Sequence, residues 1–183
     1  MNTRLIIIYN ILGFIGSGGI FLSTMVSKKD NIMKVQTAGT AMLLAADILA
    51  KGYSGAVQDF IGIIRNITVI KDIHKKWLNA LFIVSGLVLG VAANTQGVAG
   101  FLPIFANFQF SCLVLWQKAD EVIIKLSVCA ANICWAIFNL YLMNYANAAV
   151  NFAICISAAV FVARELIKRK KGKRIRQNGS ETE

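Results

Sequence analysis

Charged residues and proline are scarce in this chain. Only 15% of its 183 residues are charged, nine of them acidic, and Pro103 is the only proline. Hydrophobic residues make up 57% of the chain, whereas soluble domains contain about 45–50% apolar residues. The mean hydropathy is +0.63. This composition argues against a soluble globular domain and predicts an all-α integral membrane protein.

The sequence also lacks the short motifs of common enzymes. It contains no H-E-x-x-H, no G-x-S-x-G and no glycine-rich phosphate loop, so we expect neither enzymatic activity nor a cofactor. His74 is the single histidine, and the cysteines form no C-x-x-C pair, which argues against a metal site. We expect the four cysteines to be buried free thiols that behave as small hydrophobes: Cys112, Cys129, Cys134 and Cys155.

Long apolar segments dominate what remains. A membrane-spanning helix needs about 20 predominantly apolar residues. Seven segments come close to that length, and they cover residues 5–27, 33–50, 54–71, 77–95, 98–117, 122–142 and 146–167. Two pairs of segments are joined by very tight turns, AKGYSG at 50–55 and MNYANA at 143–148. The pattern predicts seven transmembrane helices in a lipid bilayer.

Basic residues fall on one side of these segments. Lysines occur in the first, third and fifth connections and in the tail at 168–183, whereas the opposite side carries only Arg4 and Lys51. Because positive charge favours the cytoplasm, this distribution places the N-terminus outside and the C-terminus inside the cell. The net charge of +10 resides in short loops and in the tail without interleaved aromatic residues, so we expect no nucleic-acid partner.

The chain also repeats itself weakly. With an offset of 92 residues, AKGYSGAVQDF (50–60) aligns with LMNYANAAVNF (142–152), and Asp47 and Asp59 align with Asn139 and Asn151. The repeat predicts two three-helix units, 5–71 and 98–167, joined by a linker helix at 77–95. Because the linker crosses the membrane once, both three-helix units have the same orientation. This 3+1+3 arrangement is therefore a parallel repeat.

Three stretches resemble a known family. KVQTAGTAMLLAADILAKGYSGAVQDFIGIIR (34–65), CWAIFNL (134–140) and FVARELIKR (161–169) resemble the YgjV-type bacterial inner membrane proteins. The resemblance implies an inner-membrane location and supplies no substrate. The 3+1+3 pattern is also similar to SWEET, PQ-loop and PnuC-type transporters, although the sequence contains no Pro-Gln pair. In SWEET-like transporters a tryptophan of helix 6 and an asparagine of helix 7 border the solute pocket, which implies comparable places for Trp135 and Asn151.

Polar residues inside the apolar segments are the candidate site residues, because such residues usually face the bundle interior. Asn132, Trp135 and Asn139 share one face of the sixth segment at spacings i, i+3 and i+7. Two amides and an indole on one stripe suit a pocket for a small polar ring-bearing solute. The alternative is that the amides hold neighbouring helices together by hydrogen bonds.

The third segment contributes a second polar face. Asp59 and Asn66 lie on it, and the aspartate side chain is too short to reach water from that depth. We therefore expect Asp59 to be paired, protonated or facing a cavity. Asp47 either forms an i,i+4 ion pair with Lys51 or joins Asp59 below an outer opening, where the two acids would attract a cation or titrate a proton. Arg65 is long enough to anchor the cytoplasmic side by snorkelling.

Two functional hypotheses follow from these features. The first is a transporter or facilitator of a small polar solute, with a central pocket lined by Asp47, Asp59, Asn66, Asn132, Trp135, Asn139 and Asn151. The second is a membrane receptor or assembly protein of the same fold without a transport cycle, since a fold alone does not decide function. A G-x-x-x-G face at Gly86 and Gly90 would support either a homo-oligomer or packing within the bundle.

Overall fold

Helices form nearly all of the structure. The computed structural model describes residues 3–23, 29–73, 75–115 and 121–180. These residues contain seven α-helices and no strand. The helices are α1 (Thr3–Ser23), α2 (Lys29–Leu49), α3 (Tyr53–Ile70), α4 (Lys76–Ala92), α5 (Phe101–Leu115), α6 (Glu121–Tyr141) and α7 (Tyr145–Ser180), with a 3-10 turn at Gly97–Gly100 before α5.

Within the described ranges, four helices are long and apolar enough to cross a membrane. They comprise Thr3–Ser23, Asn31–Leu49, Val122–Tyr141 and Tyr145–Lys170. Helices α4 and α5 are apolar but shorter, with 17 and 15 residues, and α3 has 18 residues that include Asp59 and Arg65. At about 1.5 Å of rise per residue, α3 spans roughly 27 Å, close to the hydrocarbon thickness of a bilayer.

The distribution of side chains is that of a membrane protein. Large apolar residues such as Phe14, Val88 and Ile156 are exposed on the outside of the helices, whereas the buried set is rich in serine, asparagine, glutamine and aspartate. A soluble protein rarely exposes so much contiguous apolar surface. The exposed apolar side chains face lipid, and the polar groups lie between helices, where they can find partners.

The helices close into a ring. Each helix packs against the next one along the chain, and α7 returns to pack against α1. Helix α3 also contacts α5 directly, so α4 lies outside the ring against both of them. Glycines permit the closest approaches: a Cβ on Gly16 of α1 would lie 2.6 Å from the Gly39 carbonyl oxygen of α2. The G-x-x-x-G face of α4 is occupied within the chain by Gln58 and Ile104.

Within the described residues, the helix boundaries lie within four residues of the predicted segments except at the end of the last helix, and the predicted ends at 27 and 117 lie outside the described residues. Both tight turns lie where the sequence placed them, at Ala50–Gly52 and at Leu142–Asn144. The last predicted apolar segment ends at 167, and α7 continues beyond it to Ser180. Lysine and arginine are good helix formers, and no proline interrupts this run. Lys28 and Lys118, which are among the lysines of the first and fifth connections, lie outside the described residues, as does His74.

The cysteines also correct the sequence-based expectation. Cys129 of α6 and Cys155 of α7 are paired as a disulfide, with their Cα atoms 4.4 Å apart. The two residues are equidistant from Leu142 along the chain, so the antiparallel packing of α6 on α7 brings them face to face. Cys112 is a free cysteine but is exposed rather than buried, and Cys134 is free and half-buried.

Candidate functional site

The candidate site begins at the two tight turns, which have the same backbone conformation. In the first, Lys51 has a φ of 61°, and the Gly52 N–H donates to the Asp47 carbonyl oxygen at 2.7 Å. In the second, Met143 has a φ of 58°, and the Asn144 N–H donates to the Asn139 carbonyl oxygen at 2.8 Å. Both are Schellman-type helix ends with a non-glycine residue in the left-handed position. Each turn therefore places a candidate site residue in the last turn of its helix.

Asp47 and Asp59 form the acidic part of the site. The Asp47 side chain is 1% exposed and that of Asp59 is 7% exposed. Both carboxylate oxygens of Asp47 and Oδ2 of Asp59 are buried without a hydrogen bond to any described residue. Asp47 Oδ2 lies where a Cβ of Gly55 would be, and Gly55 is one helical turn before Asp59 on the same face of α3. Two acids from α2 and α3 are thus neighbours, and three of their four carboxylate oxygens lack, among the described residues, the donors that normally accompany a buried carboxylate.

A close contact between helices holds Asp47 in place. The Asp47 carboxylate lies over Gly55, where a Cβ atom would collide with its Oδ2. The same Cβ would lie 2.6 Å from Cε1 of Phe138, which comes from α6 and is fully buried. Trp135 packs edge-on against Phe138, with ring centroids 6.0 Å apart. Glycine at position 55 is therefore what allows the carboxylate and the aromatic ring to share this space.

Asparagines form the second part of the site. Asn147 Nδ2 of α7 donates to Asn139 Oδ1 of α6 at 3.0 Å, and Asn151 Nδ2 donates to Asn147 Oδ1 at 3.1 Å. Asn139 Nδ2 also donates to the Trp135 carbonyl oxygen at 2.8 Å. These amides satisfy one another between α6 and α7. The hydrogen bond from Asn147 to Asn139 is of the kind that joins neighbouring helices in a membrane.

The remaining predicted residues do not join these two groups. Asn132 is half-buried and donates to the Val128 carbonyl oxygen of its own helix at 2.8 Å. Asn66 is buried on α3, seven residues beyond Asp59 and so on the same face of the helix. A cavity common to Asp59, Trp135, Asn139 and Asn151 stays a prediction.

The expected ion pair between Asp47 and Lys51 does not form. The Asp47 carboxylate makes no hydrogen bond to any described residue, and Lys51 is exposed. The left-handed backbone of Lys51 ends α2 before this position, so the i,i+4 geometry of a continuous helix is lost.

Each turn is held by another part of the ring. Tyr9 of α1 is fully buried, and its hydroxyl donates to the Leu142 carbonyl oxygen at 2.9 Å. Asn10 Nδ2 donates to the Met143 carbonyl oxygen at 2.9 Å, and its Oδ1 accepts from the Ala146 N–H at 3.1 Å. At the other turn, Gln96 Nε2 donates to the Lys51 carbonyl oxygen at 2.7 Å. The segment before α5 thus supports the first turn as α1 supports the second.

A separate polar cluster lies between α3, α4 and α5. Gln58 is buried, its Nε2 donates to the Gly86 carbonyl oxygen at 2.7 Å, and its Oε1 accepts from Asn107 Nδ2 at 3.2 Å. The cluster borders a cavity of about 20 Å³ that Arg65 and Ser111 also line. A space of this size holds about one water molecule. Arg65 is half-buried and faces this cavity, a position that the sequence had not indicated.

Several residues of the site escaped the sequence argument. Asn147 bridges Asn139 and Asn151, and the buried Asn144 packs against Gly13, where a Cβ would lie 2.6 Å from its Oδ1. Their spacing was informative, because positions 144, 147 and 151 follow the i, i+3, i+7 pattern of one helical face. Tyr9 and Gln58 carried no comparable signal, since their partners lie on distant segments of the chain: a backbone carbonyl for Tyr9, and a backbone carbonyl and the Asn107 amide for Gln58.

Comparison with known proteins places the chain in a family. The model of the bacterial inner membrane protein family Imp-YgjV matches residues 7–169. The chain belongs to this family. It is accordingly a bacterial inner membrane protein, and its apolar helices lie in a lipid bilayer. No curated protein and no solved structure matches the chain.

Proposed function

We propose that this Imp-YgjV protein carries a small polar solute across the inner membrane through the interior of its helical ring. The observation that supports the proposal is that both halves of the chain contribute polar side chains that are buried between helices. Asp47 and Asp59 come from the first half, and Asn139 and Asn147 come from the second. A charged aspartate at the centre of a membrane helix costs about 2.5–3.5 kcal/mol on insertion scales. Such residues mark substrate or ion pathways in membrane proteins.

The proposal includes two three-helix repeats, α1–α3 and α5–α7, joined by α4. The 92-residue offset that relates the sequences also relates the backbone hydrogen bonds of the two turns. The packing has the same order in each half, since α1 on α2 corresponds to α5 on α6, and α2 on α3 corresponds to α6 on α7. The junction of α3 with α5 likewise corresponds to that of α7 with α1. Two repeats of equal orientation support alternating access by rocking about a site between them.

The proposed orientation has the N-terminus outside and the basic end of α7 in the cytoplasm. That end carries several basic residues that begin with Lys168, Arg169 and Lys170, and Arg169 pairs with Glu165 at 3.4 Å. Cationic residues beyond the last span favour a cytoplasmic position. In this orientation the two tight turns and the acidic pair lie toward the outer side of the membrane.

Transport is tested by finding the solute and then following its movement. The purified protein would be screened for melting-temperature shifts against pools of small polar metabolites, and each solute that stabilises it would be tested for uptake into proteoliposomes. We expect at least one solute that both stabilises the protein and is taken up faster than by empty liposomes. A solute that binds without being taken up would contradict transport and favour a receptor of the same fold.

A further inference from the structure

The two halves of the chain differ at one bridging position. In the second half, the Asn147 side chain connects Asn139 to Asn151 through hydrogen bonds of 3.0 and 3.1 Å. The positions 92 residues earlier are Gly55, Asp47 and Asp59. Glycine has no side chain with which to connect the two flanking residues. The first half therefore keeps the flanking polar groups of this network and lacks its bridge.

The Asp47 carboxylate occupies the place of the missing bridge. It lies where the side chain of residue 55 would begin, because a Cβ there would collide with its Oδ2. Three carboxylate oxygens, two on Asp47 and Oδ2 on Asp59, are buried and make no hydrogen bond to a described residue. In the second half, Oδ1 of Asn139, the equivalent of Asp47, accepts a hydrogen bond from the bridging amide of Asn147, and Asn151, the equivalent of Asp59, donates one to Asn147 Oδ1. The first half thus presents acceptors where the second half presents acceptor–donor pairs.

Two buried carboxylates cannot both stay charged without compensation. Removing an ion from water costs several kcal/mol even after relaxation, and neighbouring like charges add to that cost. Among the neighbouring side chains, Phe138 from α6 is apolar, and the Tyr9 hydroxyl of α1 already donates its hydrogen bond to the Leu142 carbonyl oxygen. Arg65, on α3 itself, faces the cavity beside α4 and α5, and Lys51 is exposed at the turn. None of the three unpaired oxygens receives a hydrogen bond from a basic side chain of the described residues, so at least one of the two negative charges must be neutralised by a proton or a bound cation.

We infer that Asp47 and Asp59 together bind one monovalent cation, a proton or Na⁺, in place of the amide bridge of the second half. A proton would be shared between the two carboxyl groups, as in other closely spaced acid pairs. Sodium would use the same hard oxygen ligands, which are of the type that binds coupling ions in transporters. The inference deepens the proposed function, since this cation would be the coupling ion. Binding itself does not require transport and can be measured without a solute.

Trp135 provides an internal reporter of the site because it packs on Phe138, which in turn contacts Gly55. The full chain would carry Trp77→Phe and Trp116→Phe, so that Trp135 is the only tryptophan left. Its fluorescence would be titrated with NaCl against choline chloride at constant ionic strength, and separately with pH in choline chloride. A saturable response to Na⁺ identifies a sodium site. A response to pH that is independent of Na⁺ identifies a shared proton.

Aspartate-to-asparagine variants provide the comparison. Asp47→Asn with Asp59→Asn keeps the shapes and removes both charges, so we expect either response to be lost. Asp72→Asn is the matched control, because Asp72 is exposed and asparagine suits its φ of 55°. The melting temperature of the unaltered protein in Na⁺, in choline and across pH gives a second measurement that needs no site variant. No response by either method, or a fluorescence response that survives in the double variant, would overturn the inference. Failure of solute uptake alone would contradict only the proposed function.

Discussion

Gly55→Ala tests the close packing at the acidic pair. The added Cβ would collide with Asp47 Oδ2 and would lie 2.6 Å from Cε1 of Phe138. Carbon atoms in optimal contact are about 3.5–4.0 Å apart, so the overlap with the ring alone is roughly 1 Å. Phe138 is fully buried and packs against Trp135, which limits its movement. Overpacking of this kind costs about 1–3 kcal/mol.

Gly62→Ala is the matched control on the same helix. Gly62 lies seven residues after Gly55 and so shares its face, yet a Cβ there would meet only Cγ2 of Thr40 at 3.8 Å. Alanine is favoured over glycine within a helix by about 0.8–1.0 kcal/mol. The control variant should therefore be as stable as the original protein or slightly more stable. We expect Gly55→Ala to be about 1–3 kcal/mol less stable than Gly62→Ala.

The assay is equilibrium unfolding of the purified variants in mixed detergent micelles, followed by far-UV circular dichroism. Comparing two variants of one helix cancels the effect of the detergent on the absolute free energy of unfolding. If Gly55→Ala proved at least as stable as Gly62→Ala, position 55 would have free space, and the placement of Asp47 over Gly55 would be refuted.

Two further predictions concern the asparagine network and the topology. Asn147→Ala should lower the free energy of unfolding by about 0.6 kcal/mol or more, because it removes the interhelical hydrogen bond to Asn139. Asn132→Ala, which loses only a bond within its own helix, should have a smaller effect, and equal losses would contradict the network. A fluorescent protein fused to the C-terminus should be fluorescent, and a C-terminal alkaline phosphatase fusion should be inactive. An active phosphatase would refute the cytoplasmic C-terminus.

Much of the fold was predictable because each feature depends on nearby residues. Apolar segments indicated the helices. Each tight turn then had to lie in the few residues that separate two consecutive apolar segments. The 92-residue offset paired Asp47 with Asn139, and the carbonyl groups of these two residues accept corresponding backbone hydrogen bonds, while the repeat of whole three-helix units stays a prediction. The disulfide between Cys129 and Cys155 was missed, although their equal distances from the second turn contained the necessary information.

The parts that escaped prediction depend on contacts between distant segments. Closure of the ring brings Tyr9 and Asn10 of α1 onto the second turn, where both donate to backbone carbonyl groups. Because every residue has such a group, the sequence does not indicate which carbonyl is the partner. Arg65 was expected as an anchor, but its surroundings are set by the meeting of α3, α4 and α5. The collision that would follow from a side chain at Gly55 involves residues of three helices, so no local pattern could reveal it.

Asp59→Asn tests the central claim most directly, because the amide keeps the shape of the side chain and removes its charge. The melting temperature of the variant and its further shift with a stabilising solute would be measured in one preparation, beside Asp72→Asn as the control. If Asp59 belongs to a solute or coupling site, the variant should stay folded and lose most of the solute-dependent shift, whereas the control should keep it. A variant that fails to fold, or one that keeps the full shift, would contradict a functional role for Asp59.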